Sequence, residues 1–269
     1  MPGRQPPNTE EGKFVSHLVF TLDRTQANNN QVSLPKLAEE SLEVFENISK
    51  NQQFDFIRLT SSQADFMTLF LAETLEEIDQ FQRSLLHSPL GLYLQREYSF
   101  LSVTELSFYR STEDKIQSTM QEKDLEPGTD AYQQKEKELE KRFKKYEKMR
   151  LEPELPEEMN YVTFYPMEKR RNPQQNWYQL PMEERGKMMQ AHGAKGRKYA
   201  GQIKQIITSC VGLDEWEWGV TLYGHDAKDF KRLIYDMRFD EVSAVYSEFG
   251  PFFTGFRIKP QSIPSYLTD

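Results

Sequence analysis

The chain alternates between apolar runs of strand length and stretches with helical spacing. Phe14–Asp23 (FVSHLVFTLD) is apolar with partial alternation and predicts a strand. Residues 34 to 54 carry Leu37, Leu42, Phe45 and Ile48 at helical spacing, and Phe54–Leu59 (FDFIRL) alternates strictly, as a strand does. Across Ala64–Leu86, the positions of Phe66, Leu69, Phe70, Leu75, Ile78 and Phe81 predict a second amphipathic helix, ended by Pro89 and Gly91. Two strand-like runs follow within Tyr93–Leu106. Further on, Asn160–Met167 (NYVTFYPM) predicts a strand. Met182–His192 and Lys195–Thr208 predict helices, Trp216–Tyr223 a strand and Asp226–Met237 a helix. Glu241–Tyr246 and Phe249–Ile258 are closing apolar runs.

A weak internal repeat runs through this pattern. In each half a helix containing Asp-Phe leads through a Ser/Pro/Gly turn into strands, so each half reads β-α-β-β-α-β, a ferredoxin-like unit. The expected fold is α+β, with two ferredoxin-like halves forming a barrel-type subunit and the helices outside. The expected division is a disordered tail over 1–13, an N-terminal half over 14–109, a charged insertion over 110–149, and a C-terminal half over 150–269. The insertion has helix-forming composition interrupted by Pro127-Gly128. It reads as an exposed helix-turn-helix, either a solvated linker or a partner-binding surface, and it lacks apolar heptads.

Composition narrows the function. The 269 residues have a net charge of -8 and a low mean hydropathy of -0.76. Such a chain is a poor general binder of nucleic acid or of an anionic membrane, although local basic clusters can still hold a small anion. The charged run in the insertion is nearly balanced in sign. Cys210 is the one cysteine, so no intrachain disulfide is possible, and it reads as a small buried hydrophobe. The N-terminus has no apolar leader, and no run approaches about 18 apolar residues. The expectation is a cytoplasmic protein without a membrane span.

Candidate chemistry is sparse. There is no GxGxxG, Walker A, HExxH or GxSxG pattern. Of the four histidines, His17, His87 and His225 read as structural or solvated. His192 ends a helical segment and is followed by GAKGRKYAG, whose small residues let something bulky approach, although a lone histidine also suits a bland packing role. YPMEKRR puts Tyr165, Met167 and Lys169 on one strand face, an oxidisable phenol beside cations. That suits a large aromatic anion, and equally an ordinary basic strand end. Arg238 and Ser243 add a cation and a hydroxyl of the kind carboxylates prefer. The residues alone reach a large anionic cofactor, with haem as one candidate.

At these residues the chain resembles the chlorite-dismutase-like family, most closely its coproheme decarboxylase branch. The resemblance lies in YPMEKRR (165–171), NWYQLP (176–181), ERGKMMQAHGAKGRKYAGQIKQ (184–205), GLDEWEWGVTL (212–222), MRFDEVSAVYSEFGPFFTGFR (237–257) and SFLSVTELSFY (99–109). It implies a subunit of two ferredoxin-like halves, a ring-shaped homopentamer, and iron porphyrin bound in the C-terminal half. It implies His192 as the proximal iron ligand and Gln205 at the distal position, where chlorite dismutases carry arginine. It further implies Tyr165 as a catalytic tyrosyl radical, Lys169 beside the reacting propionates, and Arg150, Arg238, Ser243 and Tyr109 as propionate anchors. Met167 would line the pocket and Arg197 would gate it. The implied activity is peroxide-dependent decarboxylation of two propionates of iron-coproporphyrin III (coproheme) to the vinyls of haem b. A ferrochelatase would be a transient partner. The alternatives are a chlorite dismutase or other haem peroxidase of the family, and a non-catalytic haem carrier. A proximal histidine donates its second N–H to an acceptor, and Glu217 and Glu241 are the candidates.

Overall fold

A computed structural model describes residues 6–51, 53–61, 64–108 and 112–267. In chain order the elements are β1 (Asn8–Leu22), α1 (Arg24–Asn29), α2 (Leu34–Glu40), α3 (Leu42–Asn51), β2 (Gln53–Leu59), β3 (Phe66–Ala72), α4 (Leu75–Leu86) and β4 (Leu94–Phe108). Then come α5 (Thr112–Glu122), α6 (Asp130–Leu151), β5 (Tyr161–Lys169), the short pair β6 (Arg171–Asn172) and β7 (Gln175–Asn176), α7 (Met182–Arg197) and β8 (Ile203–Ser209). The chain closes with β9 (Trp218–Gly224), α8 (Ala227–Met237), α9 (Glu241–Tyr246), β10 (Ser247–Phe249) and β11 (Phe253–Ile258).

The two ferredoxin-like halves are present. In space the first runs β4-β1-β3-β2 and the second β11-β5-β9-β8. β11 pairs with β2, and β4 pairs with β8, so the eight strands close into a ring of antiparallel pairs. Closure removes the open sheet edges that would otherwise invite aggregation. The ring interior is filled by Val15, Val19, Met67, Leu69, Phe100, Phe164 and Phe253. The outer face of the N-terminal half packs Phe20, Phe45, Phe56, Phe66, Phe70 and Phe81 between the sheet and α3–α4. The outer face of the C-terminal half packs Tyr165, Val220 and Leu222 against Phe230 and Leu233 of α8.

Four expectations change. The helix expected from Ala64 is a strand, β3, followed by a shorter helix. Every β3 residue is buried, Phe66 and Phe70 outward and Met67, Leu69 and Leu71 inward, so its apolar run has no two-residue alternation to betray it. The real helix start is a capping box: Thr74 Oγ1 accepts from Glu77 N while Glu77 Oε2 accepts from Thr74 N. The helix expected over Lys195–Thr208 is β8, because α7 stops at Arg197 and Gly201 turns the chain with φ +84°. The expected tail is partly a strand, with β1 beginning at Asn8 and pairing with β4 out to Phe108. Finally, α6 runs on to Leu151, so Arg150 belongs to the insertion's helix. That helix end passes close over β1 and β4, where a Cβ at Gly12 would collide with Leu151 O and Thr104 Oγ1. The insertion is otherwise the expected helical hairpin, with a small core of Ile116, Met120 and Leu139.

Candidate functional site

Strand register assembles the site on the outer face of the C-terminal half. Tyr165 pairs with Val220 and Val220 with Ile207, while Thr163 pairs with Leu222 and Leu222 with Gln205. Paired residues on neighbouring strands point the same way, and alternation adds Met167. Tyr165, Met167, Gln205 and Ile207 therefore share one face, beneath α7 and α8.

Tyr165 is buried there. Its ring stacks on Phe252 at 4.6 Å and leans on Phe249 at 5.9 Å. Burial pushes the phenol pKa up, against the opposing charge of Arg238. Arg238 caps the end of α8 and lies over the Phe249 ring at 4.5 Å, with no ion pair among the described residues. Phenol, two phenylalanines and guanidinium thus form one stack.

His192 stands on α7, with 27 % of its side chain exposed, and its Nδ1 lies 3.1 Å from Asp240 Oδ1. Asp240 is the N-cap of α9 and accepts from Ser243 N at 3.2 Å and Ser243 Oγ at 3.1 Å. Burial raises the Asp240 pKa, but His192 and Ser243 outweigh it and hold the carboxyl below the usual range. An imidazole tied to a carboxylate through Nδ1 keeps Nε2 for a metal.

The second acceptor for His192 is therefore neither Glu217 nor Glu241. Glu217 Oε2 accepts from Lys169 N at 2.7 Å, and Glu241 is exposed in the first turn of α9. The signal for Asp240 was an Asp opening a short apolar run with Ser three residues on, an N-cap pattern. Ser243, expected as a propionate anchor, spends its hydroxyl on Asp240.

The structure does not bring all the expected residues to one rim. Lys169 is buried; its Nζ donates to Ser247 Oγ at 2.9 Å and sits 5.0 Å from the Trp177 ring centroid. Burial lowers its pKa to about 8, with Asp240 and then Glu217 pulling the other way. It belongs to the Asp240 side of the site rather than to an open cationic rim. Trp177, in the polar stretch NPQQNWYQ, and Phe252, in an apolar run, carry no signal of a site in their spacing. Arg150 Nη2 donates to Glu105 O at 3.0 Å, and its Nε is buried without a partner. Extending the β4–β8 register puts Glu105 opposite Ile207, level with Tyr165 two strands further on. Gln205 Nε2 reaches α7 at Gly196, 3.6 Å from where a Cβ would stand, so a larger residue there would crowd the amide. Arg197 is exposed at the end of α7. Tyr109 lies outside the described residues.

The donor set fits an iron porphyrin. It offers one imidazole oriented by a carboxylate, a sheet face of apolar and aromatic side chains, and cations at Arg150, Arg197 and Arg238 for anionic substituents. Comparison with known proteins bears on this site. A sequence model of the chlorite dismutase family matches residues 35–258. The chain belongs to the chlorite dismutase family. A haem-binding protein from Thermus thermophilus is similar, with 34 % identity over 97 % of both chains and a TM-score of 0.76. Chlorite dismutase from Candidatus Nitrospira defluvii shares the fold at 18 % identity, with 96 % of this chain and 97 % of that chain covered and a TM-score of 0.69. A Halobacterium salinarum protein carrying a haem-binding name is 37 % identical over 97 % of this chain and 50 % of its own length. A similarly named Natronomonas pharaonis protein is 35 % identical over 98 % of this chain and 42 % of its own. The chain thus spans about half the length of the curated relatives it matches. Among the described residues no helix is long and apolar enough to cross a membrane.

Proposed function

We propose that the chain binds iron porphyrin through His192 and decarboxylates coproheme with hydrogen peroxide. The observation that carries this reading is Tyr165, a buried neutral phenol on the same sheet face as Gln205, with His192 held by Asp240 on the facing helix. When bound, the iron centre supplies two-electron oxidation at the expense of peroxide. Each propionate with one peroxide and one proton yields a vinyl group, one carbon dioxide and two waters.

The chain's own residues do the rest. Asp240 and Ser243 fix the His192 ring and its tautomer. Tyr165 gives up a hydrogen atom and takes one back from the propionate β-carbon; its burial keeps the proton on the phenol until the electron leaves with it. Arg238 and Arg150 hold carboxylates by charge-assisted hydrogen bonds and set which substituent faces Tyr165. Phe252 and Phe249 keep water off the phenol. A homopentameric assembly, a cytoplasmic location and transient contact with a ferrochelatase belong to the same proposal.

The test is titration with ferric coproheme, then peroxide, with mass spectrometry of the porphyrin. Two successive losses of carboxyl mass are expected. Binding without mass loss would leave a haem carrier, and no binding would end the porphyrin reading. Chlorite decomposition is the second reading, favoured by family membership and opposed by Gln205 where arginine would hold the oxyanion. Rapid oxygen evolution from chlorite would establish it.

A further inference from the structure

The charged run in the insertion is nearly balanced in sign as a whole, but its cations gather toward its C-terminal end. Residues 141–150 carry six cations against Glu147 alone, in a chain of net charge -8. On α6, Phe143, Glu147 and Arg150 lie on the half-buried side, continuing the face of the buried Leu139, and Arg150 ties the helix to β4 through Glu105 O. Lys141, Arg142, Lys144, Lys145 and Lys148 are exposed, and none has a carboxylate within ion-pair distance among the described residues. Met149, at 50 % exposure, stands on the same side, and Tyr146, one turn before it and 47 % exposed, stands at its edge beside Arg142. The hairpin core and the close pass over Gly12 hold this face to the barrel.

We infer that the exposed face of α6 docks the protein onto a bilayer rich in anionic lipid headgroups. Unneutralised lysines supply the attraction to a negatively charged surface, which acts over about 8 Å at physiological salt. Tyr146 and Met149 fit the headgroup boundary, where an aromatic ring and a flexible thioether are buried while lysine stems reach back to phosphates. A nucleic-acid backbone would satisfy the lysines but would offer this apolar pair no apolar surface to enter. The overall negative charge does not prevent docking, because salt screens the far side of the molecule.

The test is co-sedimentation of the full chain with phosphatidylglycerol-rich vesicles and with vesicles of phosphatidylcholine alone. Binding is expected only to the former and should be released by high salt. A triple variant, Lys141→Gln, Lys145→Gln and Lys148→Gln, should bind about a hundredfold more weakly, at roughly fivefold per cation removed. The matched triple at Lys36, Lys50 and Lys259, all exposed in other parts of the fold, should bind normally. Tyr146→Ser with Met149→Ser should weaken binding and leave its salt dependence. Absence of binding to the anionic vesicles, equal binding by the first triple variant, or tighter binding to a DNA duplex at the same ionic strength would each overturn the inference.

Discussion

The N-terminal and C-terminal halves share one strand order and differ in what fills the layer outside the sheet. In the first half that layer is dry and aromatic: Phe56, Phe66, Phe70 and Phe81 meet ring to ring beneath α3 and α4. In the second half the equivalent layer holds Tyr165, Lys169, Gln205, His192 and Asp240, with glycines on the covering helix. A ferredoxin-like half needs a covered outer face to be stable. It does not need that cover to be apolar throughout when a neighbouring half supplies a full core. One half is packed as core throughout, and the other leaves room in the same layer for the candidate site.

Four measurements would break or sharpen it. The largest effect is expected at Tyr165: Tyr165→Phe should lose decarboxylation by more than about a hundredfold while binding coproheme normally. Turnover at the parental rate would remove Tyr165 from the chemistry. Next, Phe70→Ala should cost about 3–5 kcal/mol, read as a shifted denaturant midpoint, with porphyrin affinity unchanged. A parallel loss of affinity would mean the halves are not separable in role. Third, Asp240→Asn should weaken porphyrin iron binding by about 10–100-fold and shift the absorption of the bound complex, with stability altered much less. His192→Ala should abolish the same spectral signature, and unfolding instead would make it a packing residue.

The smallest effect concerns the shared interior. His17 is fully buried, stacks on Phe164 at 3.9 Å, and its Nε2 lies 2.8 Å from Thr221 Oγ1. Burial lowers its pKa to about 3 from 6.5. The fold therefore holds it neutral while the unfolded chain takes up a proton below pH 6.5. Its contribution to stability is full above pH 6.5 and is lost as pH falls toward 3, by up to about 1.4 kcal/mol per pH unit. His17→Leu should flatten the pH dependence of the denaturant midpoint in that window, relative to the parent. An unchanged slope would show that His17 is protonated in the folded state.

Legibility followed the kind of signal each element carries. β2 alternates, and α8 carries its apolar residues on one face, so both were readable from spacing. β3 was not, because burial on both faces erases alternation and leaves an apolar run that also suits a helix. β8 was missed because its isoleucines follow a true helix with only Gly201 to mark the break. Among site residues, Tyr165 and Met167 sit on a common face as alternation requires, and His192 sits on the helix expected for it. Lys169 shows the limit: its strand position was readable, while the contacts of its ammonium with Ser247 and Trp177, from segments 78 and 8 residues away, were not.

The sequence by itself determined the two-fold repeat, the α+β class, the helical hairpin and the family, because these rest on local periodicity and on motifs read along the chain. Only the tertiary structure decided that the two sheets close into a ring, since closure depends on β11 meeting β2 and β4 meeting β8 across more than one hundred residues. It also decided that Asp240 rather than a glutamate orients His192, and that the lysines of α6 face outward while Arg150 turns in to β4. Both follow from which side chains a fold brings face to face, and a linear spacing does not contain that information.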